Sequence, residues 1–121
     1  ADVLIHAICD ALFGAAGLRD IGYHFPDTDP EFKGIDSKIL LRKSYEQVKE
    51  KSFSIGNIDS TIVLQNPKIS RYIPEMITTL AGVLGISENQ LTIKAKTSEK
   101  LGFIGREEGL SAYAVVLLEE S

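Results

Sequence analysis

Phe53-Ser-Ile-Gly-Asn-Ile-Asp-Ser-Thr-Ile-Val-Leu-Gln65 is rich in β-branched residues and alternates, with Ile58, Ser60, Ile62 and Leu64 on one side of a pleat. Asn66-Pro67 breaks this strand, because proline has no N–H to give to a ladder. Beyond the break, Ile73, Met76, Ile77, Leu80, Val83 and Leu84 recur at helical spacing over about 70–84, and Gly85 follows as a stop. A second strand is predicted at 91–97. Strand, helix and strand across 53–97 leave room for a crossover that lays two strands parallel. A third strand is predicted at 110–118, after a loop holding Gly102, Gly105 and Gly109. Its sequence, LSAYAVVLL, is apolar on both faces, as a strand requires when its sheet is packed on both sides.

Upstream of this unit the pattern is helical. Asp36 or Ser37 can cap a helix running to about Lys51, with Leu40, Leu41, Tyr45 and Val48 inward. Val3, Ala7, Ile8, Ala11, Leu12 and Ala15 mark another helix over 2–16, stopped by Gly17. Residues 17–36 form a loop punctuated by Pro26, Pro30 and Gly34. The fold class is α+β: a two-layer mixed sheet with helices on one side. The chain has no initiator Met and opens directly inside a helical pattern, so either processing or a missing N-terminal segment is expected.

At 121 residues, 44% hydrophobic and 25% charged, the chain can bury a core without staples, and Cys9 has no partner for a bridge. The net charge of −4 argues against a general nucleic-acid binder. No apolar run could span a bilayer, and no basic-then-apolar leader is present. A single cytosolic domain with neither nucleic acid nor membrane as partner is the expectation.

Charge is distributed unevenly. Six of the seven Asp residues and both His residues lie in the first 36 positions, whereas Lys94, Lys96, Lys100 and Arg106 crowd a later stretch. Short acids with histidine suit divalent metals or ribose hydroxyls, and clustered cations suit phosphates. Loop-capping Asp and solvated Lys would give the same composition.

Three motifs carry more information. Asp2, His6 and Asp10 recur every four residues and share one side of the first helix, a setting for a metal-binding imidazole or an incidental charged face. One His is not a zinc site. The run Arg19-Asp-Ile-Gly-Tyr-His-Phe-Pro-Asp-Thr-Asp-Pro30 is a stiff loop with carboxylates at fixed positions. There Asp20 could accept from ribose hydroxyls and Gly22 would permit close backbone approach. The run Lys94-Ala-Lys-Thr-Ser-Glu-Lys-Leu-Gly-Phe-Ile-Gly-Arg106 offers donors to phosphate oxygens, with Glu99 suited to a bridging divalent cation. A charge-balanced surface hairpin is the plain alternative.

Taken together, Asp2-Val-x-x-x-His6-Ala-x-x-Asp10-Ala-Leu-x-Gly14, Asp20-Ile-Gly-x-x-Phe-Pro-Asp-Thr-Asp-Pro30, Gly56-Asn57-x-Asp59, Pro67-Lys68 and Thr97-x-Glu99-Lys-Leu-Gly-Phe-x-Gly-Arg106 resemble 2-C-methyl-D-erythritol 2,4-cyclodiphosphate synthases over the whole chain. The resemblance implies a phosphorus–oxygen lyase of non-mevalonate isoprenoid synthesis. Its substrate would be 4-diphosphocytidyl-2-C-methyl-D-erythritol 2-phosphate, whose 2-phosphate attacks the β-phosphorus, releases CMP and closes a cyclic diphosphate. His6 would be a zinc ligand with Asp10 as its partner, and Glu99 would hold a second ion, Mg²⁺ or Mn²⁺. Thr97 and Glu99 would be catalytic.

The resemblance also distributes substrate contacts. Asp20, Ile21, Gly22, Phe25, Pro26, Asp27, Thr28 and Asp29 would surround the ribose and methylerythritol parts. Leu64, Pro67, Lys68, Ile69 and Ser70 would recognise cytidine. Lys96, Thr97, Ser98 and Glu99 would meet the diphosphate, although Lys96 replaces the first residue of the family's usual Thr-Thr. The family forms homotrimers with active sites between subunits. Phe103, Arg106 and Glu108 match residues lining its three-fold channel, where Arg106 could hold an isoprenoid diphosphate. Residues 1–121 would be one synthase domain lacking the family's N-terminal strand segment, which carries an Asp-x-His pair of zinc ligands. The expected location is the bacterial cytoplasm or a plastid equivalent. A non-catalytic trimeric ligand-binding protein on the same scaffold is the alternative.

Overall fold

The computed structural model describes residues 2–64, 67–97 and 110–121, with only the backbone described at Pro67 and Lys68. Its helices are α1 (Asp2–Ala15), α2 (Ile21–His24), α3 (Ser37–Glu50) and α4 (Ile73–Leu84), and its strands are β1 (Phe53–Val63), β2 (Leu91–Lys96) and β3 (Ser111–Glu120). The sheet order is β2-β1-β3. Strand β2 runs parallel to β1, from Ile58↔Leu91 to Val63↔Lys96, so α4 is the crossover that the spacing anticipated. Strand β3 is antiparallel to β1, with a register shift between Ile55 and Asn57. Gly56 lies at that shift, where a Cβ would approach the Leu117 carbonyl to 3.1 Å. The Gln90 amide donates to the carbonyls of Ile55 and Gly56, at 3.1 and 3.2 Å.

The helices cover one face of the sheet. Ile55, Ile58 and Ile62 of β1 and Leu91 and Ile93 of β2 are buried against Ile8, Leu12, Leu41, Val48, Leu80 and Leu84. Hydrogen bonds let polar groups join this core. Ser60 Oγ donates to the Thr92 carbonyl at 2.8 Å, and Tyr45 Oη accepts from the Ile55 amide at 3.1 Å. Asp36 caps α3 by accepting from the Lys38 amide, and Gly85 ends α4 with φ +70°.

Three details depart from the sequence reading. Helix α1 buries Leu4, Ile5, Ile8, Cys9, Leu12 and Phe13, whereas Val3 is 45% exposed. Large side chains, not the alanine stripe, select the buried face. The supposed loop 17–36 contains α2. Residues 67–72 form a 3-10 turn ahead of α4 instead of its first turn.

The other face of the sheet carries Asn57, Asp59, Thr92 and Lys94 beside exposed Tyr113, Val115 and Leu117. Thus β3 is apolar on both faces as its sequence predicts, with Ala112, Ala114, Val116 and Leu118 turned to the core.

Burial, offset in part by a Ser44 hydrogen bond, pushes the Cys9 thiol up to about 11 from 9.0. A proton-binding site strengthened by folding contributes stability fully below pH 9 and loses it as pH rises through 11. Urea midpoints measured at pH 8 and pH 10.5 should therefore fall more for wild type than for Cys9→Ala. Equal falls would show that Cys9 ionises freely in the folded chain.

Candidate active site

Helix α1 is the rail on which the first group of site residues is mounted. His6 and Asp10 lie on its exposed side, away from the Leu4–Phe13 face. The Asp10 carboxylate is not spent on His6: its Oδ1 accepts from the Ile21 amide at 2.9 Å, and no hydrogen bond joins the two side chains among the described residues. Asp10, the expected partner of the imidazole, also tethers the start of α2. Asp20 stands at the N-cap position in extended conformation (φ −129°, ψ 170°) with no side-chain cap bond, its exposed carboxylate lying 3.9 Å from Arg19 Nε. A Cβ on Gly22 would lie 3.5 Å from Asp20 Oδ2, an ordinary contact, so the fold itself does not demand glycine there.

The next turns divide between structure and surface. Phe25 is buried with Phe13 and Leu40, so its ring belongs to a small second core and only its backbone faces outward chemistry. Asp29 Oδ1 accepts from the Glu31 amide at 3.0 Å and fixes the turn after Pro26, while Asp27 and Thr28 are exposed.

A second group gathers at the carboxyl ends of the parallel pair β1 and β2, where ligand crevices form in sheets of this kind. The Leu64 amide donates to the Lys96 carbonyl at 2.9 Å, and Lys96 and Thr97 are exposed at the end of β2. The backbone turn Pro67–Tyr72 packs against β2 and α4, with Ile69 half-buried and Ser70 exposed. Lys94 is less available than its sequence neighbourhood suggested, because its Nζ lies 3.0 Å from Asp59 Oδ1 on the open sheet face. Ser98, Glu99, Phe103, Arg106 and Glu108 lie outside the described residues, and with them the expected sites of the second metal ion and the isoprenoid diphosphate.

Among the described residues no three His, Cys, Asp or Glu side chains converge as a metal site requires. Zinc takes three or four protein ligands, and of the two described imidazoles only that of His6 is free for an ion, the His24 ring being stacked on Phe13 with its Nε2 against the Leu18 carbonyl. The described residues do not by themselves fit the ion.

Sequence reasoning missed the group that holds the first cluster in place. His24 stacks on Phe13 with ring centroids 4.2 Å apart and planes 16° from parallel. Its Nε2 lies 2.6 Å from the Leu18 carbonyl. Three aromatic residues at Phe13, Phe25 and Phe32 were the available signal, since their rings meet at 6.0 and 4.9 Å.

Comparison with known proteins agrees with this architecture. The model of the YgbB family matches residues 1–119. The 2-C-methyl-D-erythritol 2,4-cyclodiphosphate synthase of Bacteroides thetaiotaomicron is 59% identical over 120 residues, covering 99% of this chain and 76% of that protein. The synthase of Porphyromonas gingivalis is 60% identical over 118 residues, covering 98% and 73%. Among solved structures, the bifunctional IspDF of Campylobacter jejuni superposes with a TM-score of 0.94 at 43% identity, over 98% of this chain and 32% of that one. The CDP complex of Plasmodium falciparum IspF gives 0.85 at 36% identity, over 98% and 71%. The fold is that of cyclodiphosphate synthases, and the chain belongs to the YgbB family.

Proposed function

We infer that the chain converts 4-diphosphocytidyl-2-C-methyl-D-erythritol 2-phosphate to 2-C-methyl-D-erythritol 2,4-cyclodiphosphate and CMP, in non-mevalonate isoprenoid synthesis. The observation that carries this is about 60% identity to synthases of that name across nearly the whole chain. An oxygen of the 2-phosphate attacks the β-phosphorus, the bond from that phosphorus to the bridging oxygen breaks, and CMP leaves with the electron pair. Such a reaction asks the protein for alignment and charge neutralisation more than for covalent chemistry.

The residues divide that work. Asp20, Ile21 and Gly22 receive the ribose, and the segment Phe25–Asp29 receives the methylerythritol part, with Asp27 and Thr28 as its exposed polar groups. Leu64 and the Pro67–Ser70 segment receive cytidine, consistent with the CDP held by the Plasmodium falciparum relative. Lys96 supplies positive charge beside the diphosphate, and Thr97 donates a hydrogen bond to the oxygens on which charge grows. Enzymes of this family are metal-dependent. His6 is this chain's proposed zinc ligand and Glu99 its proposed ligand for Mg²⁺ or Mn²⁺, ions that would act as Lewis acids on phosphate oxygens.

We assign the chain to a homotrimer with sites between subunits. The uncovered face of β3 supports this, because Tyr113, Val115 and Leu117 are 63%, 72% and 60% exposed on one chain. No helix of the described residues is long and apolar enough to cross a membrane, and a cytoplasmic location fits the bacterial relatives.

The test is CMP release from this substrate by the full-length protein with Mg²⁺ or Mn²⁺, together with sedimentation. CMP formation and a mass of three protomers are expected. CDP binding without CMP release would mean a ligand-binding protein on the synthase scaffold, and a stable monomer would remove the shared site.

A further inference from the structure

We propose that His24 is a positioning residue for this reaction: by stacking on Phe13 and donating to the Leu18 carbonyl, it fixes the Asp20–Asp29 segment on the helix that carries His6. The inference rests on the substrate reading above and assigns a specific cause to the placement of that segment.

Beside the burial of Phe25 with Phe13 and Leu40, two polar or aromatic contacts hold the segment. At its start the Asp10 carboxylate holds the Ile21 amide at 2.9 Å. At the end of α2 the half-buried His24 ring lies parallel to Phe13, at 4.2 Å between centroids. A carbonyl oxygen can only accept, so the 2.6 Å contact with Leu18 makes His24 Nε2 the protonated nitrogen and defines the tautomer. Just ahead of the first anchor the chain takes an expensive course. Arg19 has φ +76°, a left-handed conformation that an arginine adopts only when its surroundings compel it. Its guanidinium lies 4.2 Å from the Tyr23 ring, and Tyr23 in turn meets the His24 ring edge-on at 5.1 Å. Asp20 sits between a strained residue and a helix of one turn. Neither is stable alone, since a single turn cannot offset its nucleation cost. The bonds to α1 and Leu18 supply order together with the packing of Ile21 and Phe25 on Phe13.

Phe13 and Asp10 both belong to α1, as does His6. Fixing α2 on this rail sets the distance from the Asp20 carboxylate to the imidazole, and hence the pose of any substrate bridging them. A side chain that acts in this way affects how well substrate is held and leaves the chemical step intact once substrate is seated.

The experiment compares wild type, His24→Ala and His24→Phe in the full-length protein, measuring CMP release and hydrogen exchange of peptides covering 20–29 and 37–50. His24→Ala should raise KM about tenfold with kcat within about twofold, and should speed exchange at 20–29 but not at 37–50. His24→Phe keeps a ring for the stack and loses the donor, so an intermediate KM is expected. If His24→Ala fails to fold, a KM for His24→Phe equal to wild type overturns the proposal. Unchanged KM and unchanged exchange in both variants do so as well. Absence of CMP release by wild type would instead defeat the substrate reading, while the exchange of residues 20–29 would still test the tether.

Discussion

Phe13→Ala will lower the stability of the chain by about 3–5 kcal/mol, the range for deleting a buried aromatic ring. Phe13 is fully buried and stands where two cores meet: its helix faces the main core, and its ring packs on Phe25, Leu40 and His24. Removing it leaves a void under α2 that rigid neighbours cannot fill. The Leu18 amide donates to the Phe13 carbonyl at 2.8 Å, and that bond survives the substitution, so the loss is one of packing. For a domain of this size the thermal midpoint should drop on the order of 10–20 °C. Phe13→Leu retains most of the volume and should cost roughly a third as much. Thermal melts of the three proteins provide the measurement. A drop of a few degrees for Phe13→Ala would mean that the small core contributes little and that residues 18–35 are held by other means.

The legibility of this chain follows the range of its interactions. Strand β1, helix α4 and strand β2 were readable because periodic burial writes itself into every second or every third and fourth residue. Helix α3 was readable for the same reason, and Leu40, Leu41, Tyr45 and Val48 are all buried. Helix α1 was placed correctly, and Ile8 and Leu12 of its stripe are buried, but Val3 and Ala15 are exposed. Alanines at 7, 11 and 15 are compatible with contact or exposure, and only the larger Leu4, Ile5 and Phe13 settle the orientation. Helix α2 has four residues, Ile-Gly-Tyr-His, too few to show a period. The bond from Asp10 to Ile21 spans eleven positions and the shift at Gly56 depends on a strand sixty residues away, so neither leaves a local trace. The site shows the same division. Resemblance named Asp20 and Asp10, but only coordinates show that the second holds the backbone beside the first.

Thr97→Val should reduce turnover by about 10², the lower end of the loss seen when one donor to a developing oxyanion is removed. The substitution is chosen for what it preserves. Valine has the branching and volume of threonine and the same preference for extended backbone, so the end of β2 should be unchanged. Thr97 is exposed, so no buried hydrogen bond is broken and stability should move by less than about 0.5 kcal/mol. What disappears is one hydroxyl at the carboxyl end of a parallel pair, beside Lys96. If that hydroxyl bonds more strongly to the transition state than to bound substrate, kcat falls and KM stays within about twofold. If it only helps to hold the diphosphate, KM rises and kcat is spared. Steady-state CMP release by full-length wild type and variant separates the two. The partner experiment, Thr97→Ser, restores the donor and should recover most of the rate. A Val variant with wild-type kcat and KM would remove Thr97 from the mechanism, leaving Lys96 to offer charge to the phosphates at that end of β2.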